Sequence, residues 1–178
     1  MAGLRIVITP RFCVSTELLH LSFRLADVEQ ATILRSAGTV QITLPLGKWS
    51  GALSPRQKAW LHSVVAEELR LCARRYLPQR LAELASRHGV AVEGVTIKNI
   101  ATRWGSCSSR RHINLSLWLM LAPPHLIDYV LLHELCHLSE MNHGPRFWAL
   151  LDSYTTSRAR QLDREMHNFE KELLQNNL

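Results

Sequence analysis

The chain has 178 residues, 47% of them hydrophobic, with a mean hydropathy of −0.04, which suits one globular domain with a real core. No apolar run reaches the roughly 20 residues of a membrane span, and Met1 to Pro10 is too short an apolar stretch for a signal peptide, so a cytoplasmic location is expected. A net charge of +6 and a pI near 9.5 allow an anionic partner, nucleic acid included, yet no nucleic-acid-binding motif accompanies the arginines.

Residues 3–9, 31–36 and 39–44 alternate or bunch β-branched side chains and are expected to be strands, with Ala37-Gly38 as a hairpin turn between the last two. Residues 17–27 are a further strand candidate. The part from 1 to 50 therefore reads as a small antiparallel sheet. Ser54-Pro55-Arg56-Gln57 then supplies an N-cap, a proline at the first helical position and a glutamine that closes a capping box. Helical spacing of Trp60, Val64 and Leu71 runs to about Tyr76, Pro78 breaks or kinks the path, and a second piece reaches His88 and stops at Gly89. This helical layer, 54–88, is expected to cover the sheet.

Residues 95–100 and 113–117 alternate as two strands that should pair across a glycine-containing turn. Strand 113–117 is the candidate edge on which an extended peptide could lie, its Ile113, Leu115 and Leu117 facing the core and Asn114 and Ser116 facing away. Pro123-Pro124 opens a helix expected to end near Glu140, and helices follow at 145–153 and 156–175, with Phe147 and Trp148 pinning the intervening turn to the core. Asn176 to Leu178 should fray. No linker or repeat divides the chain, so 1–178 is read as one domain whose third part, 95–178, carries the chemistry.

That chemistry is written in His133-Glu134-Leu135-Cys136-His137, followed six residues later by His143. Residues four apart share one helix face, so His133 and His137 can hold one metal ion with Glu134 at its side. Zinc lowers the pKa of a water it polarises toward roughly 7, and the carboxylate can take the proton as that water attacks a carbonyl. Continuing the helix would swing His143 to about 240° around the axis, away from the metal. The chain must therefore turn before it, and Asn142, Gly144 and Pro145 are suited to a turn followed by a new helix. Two imidazoles and a carboxylate among Ile127, Val130, Leu131, Leu132 and Leu135 are costly to bury unless something pairs with them.

Other polar residues are weaker candidates. Arg103, His112, Asn142 and Tyr154 could stabilise an oxyanion, and Asn114 could contact substrate. Arg103 could equally pair with Asp128, and Asp128 could instead accept the free ring N–H of a ligand histidine. Four scattered cysteines form no C-x-x-C pair. Cys107 and Cys136 read as small packing residues, and His20, His62, His88, His125 and His167 lack ligand-like spacing.

Arg103-Trp104-Gly105-Ser106-Cys107, Ile113-Asn114-Leu115, Asp128-Tyr129-Val130 running into His133-Glu134-Leu135-Cys136-His137-Leu138, and Asn142-His143-Gly144-Pro145-Arg146-Phe147-Trp148 together resemble the YgjP-like metallopeptidase family, related to the SprT-like zinc proteases. The resemblance implies an α+β, zincin-like fold: small antiparallel sheets, a helical layer and an H-E-x-x-H active-site helix. It also implies one Zn2+ per chain held by His133, His137 and His143, Glu134 as catalytic base, and a protein or peptide substrate. The alternative is a basic adaptor on nucleic acid or nucleoprotein with a structural or vestigial metal site. Structural zinc usually takes four protein ligands, and no fourth stands beside these three, which favours catalysis.

Overall fold

The computed structural model describes residues 6–175. The fold is mixed α+β, with two small sheets joined by a long helix and followed by three further helices. In chain order the first sheet holds β1 (Val14–Ser15), β2 (His20–Ala26), β3 (Thr32–Ser36) and β4 (Thr39–Pro45), leading into a one-turn helix α1 (Leu46–Trp49) and the 33-residue helix α2 (Pro55–Arg87). The second sheet holds β5 (Gly94–Lys98), β6 (Gly105–Cys107) and β7 (His112–Ser116). A short 3-10 helix (Leu117–Leu121) then precedes α3 (Pro124–Cys136), α4 (Pro145–Tyr154) and α5 (Ala159–Gln175).

Burial explains the strand order in the first sheet, β1-β2-β4-β3. Val40, Ile42 and Leu44 make β4 the most deeply buried strand, so it takes an interior position, whereas β3 is mostly exposed and lies at the edge. The expected hairpin forms with Ser36 opposite Thr39, and Ala37 and Gly38 both have positive φ (41° and 84°), as a two-residue type I′ turn requires. The sheet is nevertheless not purely antiparallel, because β2 runs parallel to β4. The strand expected at 3–9 lies partly outside the described residues. Its residues 6–9 pair with no strand among the described residues, although Ile6 and Ile8 are buried.

The capping box of Ser54 and Gln57 is present at the start of α2. Pro78 does not break this helix. It removes one backbone donor, while Leu77 and Leu81 on either side are buried in the core and hold the helical path. Two arginine–carboxylate forks attach α2 to its neighbours. Arg35 of β3 donates to Glu68 at 3.0 and 2.5 Å, and Arg80 donates to Asp128 of α3 at 2.7 and 2.6 Å.

The second sheet corrects the reading of strand 113–117. The sheet order is β5-β7-β6, with β7 parallel to β5 and antiparallel to β6, so that strand is central. Ile113 and Leu115 are fully buried, which suits a central position, and the edge beside α3 is the three-residue β6. Ser116 ends β7 by donating to the Ile100 carbonyl (2.5 Å) and accepting from the Trp118 amide (3.2 Å). The fully buried Leu117 thus belongs to the 3-10 helix. Trp118, whose indole N–H donates to Asn99, packs there with Leu69 of α2 and Leu131 of α3 in one core.

Candidate metal centre

Helix α3 is apolar on nearly every face, with Ile127, Leu131 and Leu135 fully buried, so its polar residues stand out. His133 lies in its last turn and His137 is its C-cap, three residues before the end expected at Glu140. Amides of Ser139 and Glu140 bond back to the Cys136 carbonyl, the Gly144 amide bonds to the Asn142 carbonyl at 2.7 Å, and Pro145 starts α4. That tight reversal returns His143 to the end of α3.

The three imidazoles converge through Nε2. His133 Nε2 lies 3.2 Å from His137 Nε2 and 2.9 Å from His143 Nε2. Two atoms each about 2.1 Å from a common tetrahedral centre would be about 3.4 Å apart, so the donor set fits one small divalent cation. His137 Nδ1 is 3.1 Å from the Glu140 carbonyl, which can only accept. Nδ1 therefore carries the proton and Nε2 keeps its lone pair for metal. Phe147, fully buried on α4, packs its ring 4.9, 4.7 and 4.6 Å from the rings of His133, His137 and His143, so one side chain braces all three.

Burial, reinforced by His137 and His143, pushes His133 down to about 3, and burial also lowers His137. Both are therefore neutral donors near pH 7. Glu134, 5% exposed, is pushed up to about 8 by burial, against the opposing charge of Arg103. Its Oε2 is buried with no hydrogen-bond partner among the described residues. An orphaned carboxyl oxygen beside three convergent imidazoles is what a bound cation and its water would satisfy.

Edge strand β6 is the opposite wall. A Cβ on Gly105 would stand 2.6 Å from Glu134 Oε1 and 2.8 Å from its Cγ, so only glycine lets the strand pass this close. The resulting cleft, about 380 Å³, is lined by Arg103, β6, Tyr129, Met141 and Asp163 together with Glu134 and the three histidines.

The remaining sequence candidates lie elsewhere. Asn114 donates to Ser106 Oγ (3.4 Å), bracing β6 from β7, and does not line the cleft. Tyr154 stacks on His88 at 4.0 Å, also outside it. His112 is 2.8 Å from Thr96 Oγ1. Asp128 is engaged by Arg80 and bonds neither Arg103 nor a histidine. Sequence reasoning missed the contact of Gly105 with Glu134, whose signal was only a glycine two residues after Arg103. It also missed Asp163, which accepts from the Tyr129 hydroxyl at 2.9 Å and for which no local pattern exists.

Donors supplied by one helix end and the reversal after it, beside a buried carboxylate, define a metal-dependent hydrolase centre. The chain belongs to the YgjP-like metallopeptidase family: the model of the YgjP-like metallopeptidase domain matches residues 13–169. It is therefore a metal-dependent peptidase, acting on protein or peptide with a divalent metal. No curated protein matches it. Among solved structures it is similar to the metallopeptidase zymogen jannalysin of Methanocaldococcus jannaschii, with 19% identity and a TM-score of 0.45 over 51% of this chain and 93% of that one. It is likewise similar to the metallopeptidase zymogen abylysin of Pyrococcus abyssi, with 22% identity and a TM-score of 0.45 over 51% and 92%. Among the described residues no helix is long and apolar enough to cross a membrane.

Proposed function

We propose that the chain is a cytoplasmic peptidase using one zinc ion, held by His133, His137 and His143, with Glu134 as general base. The observation that carries this reading is the convergence of three Nε2 atoms beside a buried carboxylate oxygen that lacks a partner. Among the described residues no fourth histidine, cysteine or carboxylate joins the cluster, which suits an open catalytic position better than a closed structural one. Zinc, when bound, polarises the scissile carbonyl and acidifies the attacking water.

The protein's own groups do the rest. Glu134 Oε2 accepts the proton of the attacking water, and the same carboxyl then returns it to the departing amine. Because burial alone pushes it up to about 8, it needs the positive charge of a bound cation beside it to be ionised at neutral pH. Arg103, exposed at the cleft and in no ion pair among the described residues, although its charge reaches Glu134, opposes negative charge growing on the carbonyl oxygen. The free edge of β6 takes over the part first assigned to strand 113–117 and holds the substrate main chain in extended form. Asn114 acts only by steadying that edge through Ser106.

Glu134→Gln should retain zinc at wild-type stoichiometry and lose about 10²–10⁴-fold in casein hydrolysis. His143→Ala should lose most of its zinc by elemental analysis. Hydrolysis surviving the first change would dismiss Glu134 as base, and full zinc content after the second would dismiss His143 as ligand.

A further inference from the structure

A second cavity, about 950 Å³, shares no wall with the metal cleft. One side is the β3–β4 hairpin from Arg35 to Val40 with the loop at Leu18. The other is a single face of α2, Glu68, Leu71, Cys72, Arg75, Tyr76 and Gln79, at helical spacing. This face differs from the one that builds the core, which carries Leu61, Val65, Leu69, Ala73 and Leu77. From Glu68 to Gln79 the helix rises about 16 Å, room for about five residues of extended chain.

Its chemistry is selective. Glu68 is 4% exposed and its carboxylate is fully used by Arg35, so that pair stiffens the wall and adds no net charge. Arg74 and Arg75, both exposed, line the groove and have no acidic partner among the described residues. Leu71, 44% exposed, and half-buried Leu18 and Tyr76 give the floor apolar character. Of the acids whose charge reaches Tyr76, Asp128 and Glu83 are engaged by Arg80, and Glu17 does not line the cavity. The groove is thus basic and apolar at once.

We propose that this groove is a second binding site, which takes an extended acidic polypeptide segment with interspersed apolar side chains and so holds a protein substrate away from the bond being cut. A nucleic-acid backbone would need a row of cations at phosphate spacing, whereas here the two unpaired arginines, Arg74 and Arg75, are adjacent and the rest of the α2 wall is leucine, cysteine, tyrosine, glutamine and a spent carboxylate. The groove also connects to the catalytic side, since Arg80, one turn beyond Tyr76, is bonded to Asp128, five residues before His133 on α3.

The test uses the full chain and fluorescence anisotropy with a labelled short peptide of alternating glutamate and leucine, its lysine-for-glutamate counterpart and a labelled oligothymidylate. The glutamate peptide should bind at least about tenfold more tightly than the lysine peptide. The double change Arg74→Glu and Arg75→Glu should weaken that binding by about tenfold or more, and Leu71→Ser by a smaller factor. Cleavage of a short uncharged peptide should be unchanged in both variants, which separates this site from the metal centre. Absent binding, equal affinity for both peptides, or wild-type affinity in the double variant overturns the proposal. So does an oligothymidylate that competes fully with the glutamate peptide and loses its own binding in the double variant.

Discussion

Glu134 is held from two directions: α3 buries it, and Gly105 lets β6 come within van der Waals contact of its carboxylate. A methyl at position 105 would overlap three atoms of a side chain with little room to withdraw. Gly105→Ala should therefore shift the carboxylate and lower turnover about 10²-fold while zinc content stays at the wild-type level. Gly94→Ala is the control. Its Cβ would meet the His112 ring at 2.8 Å, but His112 does not line the cleft, so peptidase activity should persist. Metal content falling together with turnover in Gly105→Ala would show that residue 105 supports the ligands rather than the base. The placing of His133 and His137 on one face, with Glu134 beside them, could be read from helical spacing, whereas the return of His143 to them needed the turn residues and the family resemblance. The contact of Gly105 with Glu134 could not be read, because it depends on two segments 29 residues apart meeting in space.

Elements were readable where their signals are local. The capping box, the Ala37-Gly38 turn and the prolines opening α3 and α4 all lie where their chemistry put them. The pairing of β5 with β7 was readable too, but not its parallel direction or the central place of β7, since these depend on the intervening β6, which is too short to announce itself. Asp128 illustrates the same limit: its nearest charged neighbours in the sequence gave no hint of Arg80, 48 residues away. Continuity of α2 through Pro78 shows packing overriding propensity. The helix start is still set locally, so Ser54→Ala, which loses the side-chain acceptor for the Gln57 amide, should cost about 1 kcal/mol in urea denaturation. A change within error would mean that the buried face of α2 alone defines its first turn.

At the scale of the molecule, the proposed metal site couples metal to stability, because the folded chain gathers three imidazoles that the unfolded chain disperses. Chelation should lower the melting temperature by about 10 °C if zinc contributes about 4 kcal/mol. The chelated protein should also show a defined pH profile. Glu134, raised from 4.5 to about 8, keeps an extra proton in the native state, so its contribution is lost as pH rises through that window. His133, lowered from 6.5 to about 3, does the reverse, and stability falls as pH drops through that range. The two oppose each other between 4.5 and 6.5, so the denaturation midpoint of the chelated protein should be highest there and decline on either side. A midpoint still climbing at pH 8 would contradict the burial of Glu134. Finally, the reversal that carries His143 gives the enzyme a direction in time. During synthesis His133 and His137 emerge before His143, the proposed third donor, and before Phe147, which packs against all three rings. On the proposed ligand set, a nascent chain has its sheets and long helix synthesised before its third donor, so peptidase activity should appear only late in translation.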